Sequence, residues 1–498
     1  MTDREHFTTS KQHDGNEGSG HGTSRRTFLK GTALGLAGAG GLAALAAPKP
    51  ARAWGDDLAE RTPAWVDRAD RLSDRALFRK VRRAFVLDKN VTYMNVGTTG
   101  SMPRHVLRAY RRNNRLIAEN PRENLGGTSA MRARIAPQFG CNPDELVISG
   151  NTTEGMCMSL NGVTLEAGDA IITTNHEHPA GIAPLALLRD RRGVAVIPVT
   201  LPVGTEQSAF DYVDLFAQAI ADARARGLNP RMMVFSAPTF VTGTMLPIRM
   251  LADLAIAEGI YTLVDGAHAS GMFDLDFHGL GIDFFAGSGH KWQCGPGGTG
   301  VWYIRNQTDS NPLPLPRFYP TRTLVYDVFG GDVPVPDGDR EPSSDYDVGL
   351  FNQSHGNPNY PANQALVDSC DFWTAIGRLR IEDHILGLSD YTKARIVDYW
   401  GIEALRCPKD DPELVSALTS FVPLNAFAPT DGARSSEFVT RLREEYGFVV
   451  RNTSVAMPQG GPNHRPLRIS THLFHDLDDV DGVIDAAIDL SEKMAAGA

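Results

Sequence analysis

From about residue 145 onward, short apolar runs of strand length alternate with stretches of helical spacing. ELVISG reads as a strand and NTTEGMCMSLNGV as a helix. AIITT, PAGIAPLALLRDR and VAVIPVT then read as strand, helix and strand, and RMMVFSA, LPIRMLADLAIAEG and YTLVDGA repeat the order. This alternation predicts an α/β domain around a mostly parallel sheet. In such sheets ligands gather beyond the carboxyl ends of the strands. The polar residues that fall there are Thr152 and Thr153, His178, Asp265, and the run from Ser288 to Lys291.

Composition narrows the function classes. Of 498 residues, 42% are hydrophobic and 22% charged, the balance of a soluble chain with two or three domains. The net charge is −10, and the first 53 residues hold 7 basic and 4 acidic groups, so the acidity lies beyond them. An acidic body disfavours nucleic acid and anionic membrane as partners. Cys141, Cys157, Cys294, Cys370 and Cys407 are far apart and form no CxxC, which argues against structural zinc and a disulfide framework.

Residues 1–53 read as a signal peptide. SRRTFLK supplies a charged head with paired Arg25 and Arg26, about 17 small and apolar residues follow, and Ala51-Arg52-Ala53 forms an A-x-A site. The paired arginines resemble the twin-arginine type, which predicts the twin-arginine translocation machinery as a partner and a periplasmic or extracellular location. The apolar run is too short and Gly-rich for stable membrane insertion. At 311–342 seven prolines fall among Asp and Gly, an irregular insertion placed to cover a site or a subunit contact. The sequence shows no internal repeat.

Four segments carry chemistry. GSGHKWQCGPGGTG, Gly287 to Gly300, sets Lys291 on a bare backbone after an apolar strand. A lysine is usually a solvated charge; in a partly dry pocket it becomes nucleophilic. Ser288 and His290 beside it can donate to a phosphate. In YTLVDGAHASG, Asp265 ends an apolar strand, where it either caps its own turn or pairs with a buried cation such as a pyridinium nitrogen. SGNTTEGMCMSL places small polar residues at a helix start, either as a plain cap or as a phosphate site. In TTNHEHPAG, His178 follows a strand end, where an imidazole can stack on a ring. A metal at His176 and His178 has no third ligand spaced nearby.

Together these four segments resemble the class V aminotransferase group of fold-type I pyridoxal-phosphate enzymes, which includes cysteine desulfurases, kynureninases and isopenicillin N epimerases. The resemblance runs from about Tyr93 to Leu490, and VDGAH with GHKW and GPGGTG is most similar to the isopenicillin N epimerase-like branch. It implies a large pyridoxal-phosphate domain at 111–350 with a mostly parallel seven-stranded sheet. A smaller α+β domain is implied at 351–498, with residues 54–110 joining it. It implies that Lys291 holds pyridoxal 5′-phosphate covalently and moves protons at the substrate Cα. By the same resemblance Asp265 pairs with the pyridine nitrogen and His178 stacks on the ring. Thr153, Ser288 and His290 hold the phosphate, with Thr152 acting from its backbone. His268 stands where desulfurases carry Gln near the phenolic oxygen. Asn357 reaches the phosphate of a neighbouring subunit, hence a homodimer with active sites at the interface. Arg468 grips the substrate carboxylate, and Asn95 and Thr98 border the substrate pocket.

Two positions depart from the desulfurase pattern. NTSVAMPQ puts Val455 where the nucleophilic cysteine stands, and Phe240 replaces a polar Asn. Persulfide chemistry on that loop is thereby disfavoured. The expectation is an exported enzyme acting at Cα of an amino acid or peptidic substrate, by epimerisation or transamination. A C–S or C–C lyase and a non-catalytic binding protein are the alternatives.

Overall fold

The computed structural model describes residues 62–321, 323 and 347–497. The expected signal peptide, and the Pro-rich insertion from 324 onward, lie outside the described residues. Twelve strands are described: β1 (Thr92–Tyr93), β2 (Leu146–Ser149), β3 (Asp169–Thr174), β4 (Ala195–Val199), β5 (Asn229–Ser236), β6 (Tyr261–Gly266), β7 (Phe284–Ser288), β8 (Gly300–Ile304), β9 (Leu418–Phe421), β10 (Phe448–Val449), β11 (Arg451–Asn452) and β12 (Leu467–Ser470).

Seven of them form one sheet in the order β2-β8-β7-β6-β5-β3-β4, mostly parallel as the alternating pattern predicts and seven-stranded as the resemblance implies. The pairs β3–β4, β3–β5, β5–β6 and β6–β7 are parallel; β8 alone runs against both of its neighbours. The reason is the connection. Helices Thr152–Gly162, Pro179–Arg192, Ala209–Ala225 and Ile248–Glu258 supply the crossovers between parallel strands. The loop from 289 to 299 is too short for one, so β8 returns as a hairpin. The consequence for function is that β2, β3, β5, β6 and β7 all end at the same edge.

Every residue of β2, β3, β6, β7 and β8 is buried, as helices on both faces require. Val147, Leu160, Ile171, Val234, Leu263 and Phe284 belong to one core, each burial stabilising by about 1.5–3 kcal/mol. β4 is the half-exposed edge and carries Pro198, tolerated there because one side of the strand needs no donor. The described start of the Pro-rich insertion packs on the sheet's core side. Arg305, paired with Asp283 at 2.7 Å, donates to the carbonyls of Asn311, Leu313 and Pro314, and Phe318 lies against Trp302 and Phe284.

The C-terminal part has its own sheet, β11-β12-β9, antiparallel throughout, with helices Arg378–Trp400, Gly432–Tyr446 and Leu477–Ala495. Ile396, Phe421, Phe438, Leu467, Ile469 and Ile484 form its core. β1 pairs with β10 in parallel, Thr92 opposite Phe448. That pairing ties residues 92–93 to the C-terminal part. It draws the next residues across to the large sheet: Ser470 N donates to Met94 O (2.9 Å) and Gly100 N to His290 O (2.8 Å). No helix among the described residues is long and apolar enough to cross a membrane.

Candidate active site

Lys291 lies just beyond the end of β7, in a loop closed on itself. Gly289 N donates to Thr299 O, Gly295 N to Gly289 O and Cys294 N to Lys291 O. The segment holding Gly100 presses on this loop so closely that a Cβ at Gly100 would sit 2.1 Å from Lys291 O. Burial pushes the Lys291 amine down to about 8; Asp265 opposes this, and Arg468 and Arg451 add to it.

Asp265 stands in β6 beside β7, opposite Ala286, and is 3% exposed. It does cap its own turn: Oδ1 accepts from Ala267 N at 3.0 Å. Burial raises its pKa, against the Ala267 hydrogen bond and the charge of Lys291. His268 is buried between Trp292 and Lys291. The Trp292 indole can only donate, and its Nε1 lies 3.1 Å from His268 Nδ1. The neutral ring therefore carries its proton on Nε2, which lies 3.5 Å from Lys291 Nζ. Burial and the nearby cations hold His268 well below the ordinary histidine range, so it is neutral.

The anion-binding end is built where β2 and β7 finish, on either side of β8. Thr152 Oγ1 and Ser288 Oγ are 2.7 Å apart at the N-terminus of helix Thr152–Gly162, whose cap, Asn151, accepts from Glu154 N. Of the two threonines Thr152 is the buried one, and it offers its hydroxyl rather than its backbone alone; Thr153 is exposed. His290 Nδ1 and Ser270 Oγ are buried without a hydrogen-bond partner.

His178 caps helix Pro179–Arg192, its Nδ1 accepting from Ala180 N at 3.1 Å, and its ring meets Phe240 edge-on at 5.0 Å. Burial, then Lys291, Arg451 and Arg468, lower its pKa. Its neighbour Glu177 escaped the sequence reading. This buried carboxylate accepts from Thr174 Oγ1, Ser236 N and Ser236 Oγ at 2.6, 3.0 and 2.5 Å, and so pins the β3 end to β5. Burial outweighs those bonds and pushes it up to about 7. An acid between two histidines at a strand end was the available signal.

Arg468, in β12, is 1% exposed, and its described hydrogen bonds go to a carbonyl and an amide oxygen rather than to a carboxylate. Its Nη1 donates to Phe240 O at 2.7 Å, its Nη2 reaches Asn95 Oδ1 at 3.5 Å, and its Nε is buried without a partner. Asn95 Oδ1 also accepts from Thr98 Oγ1 (3.0 Å), and Arg451 Nη1 donates to Thr98 Oγ1 (3.3 Å). Sequence reasoning missed Arg451 because its place depends on sheet register: it pairs directly with Arg468 across β11–β12. Gly97 allows this crowding, since a Cβ there would lie 2.8 Å from Arg468 Nη2 and 3.1 Å from His268 Cε1.

Asn357 is not brought to this cluster. It is exposed and lines a separate cleft with Asn114, Ile117 and Pro121. Val455 is buried in a turn bridged to His464. A cysteine does lie close in space, Cys294, but it is fully buried against His472 Nε2 at 3.3 Å, and burial holds its thiol well above the usual range.

These residues fit pyridoxal 5′-phosphate. The helix terminus with two buried hydroxyls and the unpartnered Ser270 and His290 atoms suit a phosphate. Asp265 suits a protonated ring nitrogen, and Lys291 is an amine near neutrality. Residues 97–319 match the family described as Aminotransferase class-V. Isopenicillin N epimerases of Amycolatopsis lactamdurans and Streptomyces clavuligerus are each 28% identical over 82% of this chain, covering 98% and 96% of their own lengths. A solved mutant of C-DES with glycine covalently linked to its pyridoxal-phosphate cofactor superposes with a TM-score of 0.63. It is 22% identical and covers 82% of this chain and 99% of that one. The chain thus carries an aminotransferase class-V domain on the fold-type I scaffold, and it is an enzyme whose cofactor is pyridoxal 5′-phosphate.

Proposed function

We propose that this is an exported, homodimeric enzyme, isopenicillin N epimerase-like, that works at Cα of a free amino acid or of the amino-acid end of a peptide. Epimerisation is the reaction favoured, with transamination the second outcome of the same Cα chemistry. The observation that carries the reading is Arg468: a fully buried guanidinium without an acid partner, next to the Lys291 and His268 cluster. A buried unpaired cation is unfavourable unless a ligand neutralises it, and a planar carboxylate does so through two parallel hydrogen bonds.

The bound cofactor supplies an electron sink for the pair left at Cα. The chain's own residues do the rest. Arg468 and Asn95 orient the carboxylate, and Gly97 leaves room for it. Lys291, with its pKa near 8, takes and returns a proton at Cα. His268 offers its Nε2–H beside the amine, and Asp265 would hold the protonated ring nitrogen. Thr152 and Ser288 anchor the phosphate. Desulfurase chemistry is disfavoured because Val455 replaces the loop thiol and Cys294 is sealed and protonated. The epimerases that span most of this chain support the choice of reaction. Asn357, exposed in this protomer, is proposed to serve the phosphate site of a second copy, and the Arg25-Arg26 segment is proposed to direct export.

The test is incubation of the cofactor-loaded enzyme with amino acids and γ-linked dipeptides in deuterated water. Deuterium at Cα with inversion and an intact amine supports epimerisation; a keto acid and an aminated cofactor support transamination. Release of sulfide or of a side-chain fragment without Cα exchange overturns both in favour of a lyase.

A further inference from the structure

The net charge of −10 hides a local reversal. Between Asp74 and Arg115 the chain holds 11 Lys and Arg against 2 Asp. This stretch forms two helices, Asp74–Ala84 and Arg104–Glu119, joined through a loop and β1. Residues of both helices, of that loop and of Phe474-His475 wall a cavity of about 510 Å³. Arg79 and Arg83 come to it from the first helix, Lys89 from the loop and Arg104 from the second helix. No ion pair among the described residues involves any of these four cations. The acids nearby are already engaged: Asp476 and Asp479 with Arg82, and Asp74 with Arg380. Asp88, a carboxylate in the lining, accepts from Asn90 N at 2.9 Å.

Two of the cations are held by their inner nitrogens. Arg79 Nε donates to Arg75 O at 3.2 Å, and Arg104 Nε donates to Arg83 O at 3.4 Å. Their terminal nitrogens are left for a ligand. Arg104 also opens its helix, whose first turn holds no acid, so the helix dipole adds to the positive field instead of being offset. Like charges that converge from three segments repel one another and destabilise the fold unless an anion sits among them. Phe85, Leu87 and Phe474 make the wall between them apolar.

We infer that this cavity is a binding site for a phosphate group, whose oxygens are taken by Arg79, Arg83, Lys89 and Arg104. A phosphate matches four cations better than a carboxylate does, because it brings about −1.5 to −2 charge and three strong acceptor oxygens. Guanidinium groups also bind it through paired, parallel hydrogen bonds. The apolar wall admits the organic body that carries the phosphate. A soluble phosphate compound and a lipid headgroup share this chemistry. Neither Lys291, Asp265, Arg468 nor Thr152 lines the cavity, so it is distinct from the reaction centre. No bond is made or broken there.

The first probe is inorganic pyrophosphate, titrated calorimetrically into the cofactor-loaded enzyme so that the cofactor's own phosphate site is filled. The second is vesicles of phosphatidylglycerol, with phosphatidylcholine vesicles as the control. Arg83→Gln and Lys89→Gln are each expected to weaken binding about tenfold to a hundredfold, the range of a charge-assisted hydrogen bond. Both residues are exposed, so cofactor content and the urea midpoint should stay as in the wild type. Arg111→Gln removes the same charge from an exposed position on the second helix outside the cavity, and should leave binding nearly unchanged. Binding of pyrophosphate alone identifies a soluble phosphate compound as the ligand. Binding of phosphatidylglycerol vesicles that pyrophosphate displaces identifies a lipid headgroup. Binding of neither probe overturns the site, as do vesicle binding that pyrophosphate does not displace and binding that survives both cavity substitutions. An equal loss in Arg111→Gln overturns it too, because that result shows a diffuse field and no defined cavity.

Discussion

The Lys291 amine should control how fast the cofactor-free enzyme captures pyridoxal phosphate, with an inflexion near pH 8 rather than at the ordinary lysine value of 10.5. Burial is the main cause, and the charges of Arg468 and Arg451 act with it while Asp265 acts against it. At neutral pH the lower value raises the reactive, uncharged fraction from ~0.03% to ~9%, roughly 300-fold. The assay removes the cofactor and follows its recapture by absorbance across the range that spans both values. Borohydride reduction and peptide mass spectrometry then confirm that the label sits on Lys291. Two substitutions test the causes with opposite signs. Asp265→Asn removes the stabilising anion and should move the inflexion down. Arg451→Gln removes a repelling cation and should move it up, with the smaller effect at high salt because Arg451 is exposed and screened. An inflexion at the ordinary lysine value, or one that rises in Asp265→Asn, would refute this account of the site.

Further outcomes follow from contacts around it. Gly97→Ala puts a methyl group within 2.8 Å of a guanidinium already bound to Phe240 O. KM for free amino acids should therefore rise about tenfold or more, with cofactor content unchanged; loss of cofactor instead would contradict the assignment. Trp292→Phe removes the donor that fixes the His268 proton on Nε2. A stability loss of about 1–3 kcal/mol in urea titration should accompany a changed pH dependence of the cofactor absorption. If only stability changes, Trp292 is a packing residue. His105, His384 and His475 are each held down to about 4 by burial, so they stay neutral in the fold and take up protons on unfolding. Their contribution is complete above pH 6.5 and is lost as pH falls through 4. The unfolding free energy should fall between pH 6.5 and 4 with a slope of up to about 4 kcal/mol per pH unit, and a flat profile would exclude the three histidines as the cause.

The strand and helix order, the parallel character of the sheet and the chemistry at its edge were legible in the linear chain. Each rests on local information: the period of apolar residues within a segment, and the direction in which a strand ends. Lys291, Asp265, Ser288 and Thr152 could be singled out because each follows an apolar run, and parallel strands deliver such residues to one edge. Arg468 and Asn95 were each named by resemblance as substrate-pocket residues, but neither their contact nor the bond of Arg468 to Phe240 O was anticipated.

Relations between distant segments were decided by the tertiary structure. Two buried hydroxyls, Thr152 and Ser288, meet because β8 returns as a hairpin and places β2 and β7 on either side of itself. The parallel pairing of β1 with β10 carries Asn95, Gly97 and Thr98 to the guanidinium of Arg468. Arg451 gained its place through register alone: in an antiparallel ladder a shift of one residue would turn it to the other face. Periodicity along a chain says which face of a strand is buried, but not which partner it meets. That choice is made by packing two hydrophobic faces together. The electrostatics of this site, an amine near 8 facing two arginines and a locked imidazole, follow from that packing and not from any one segment.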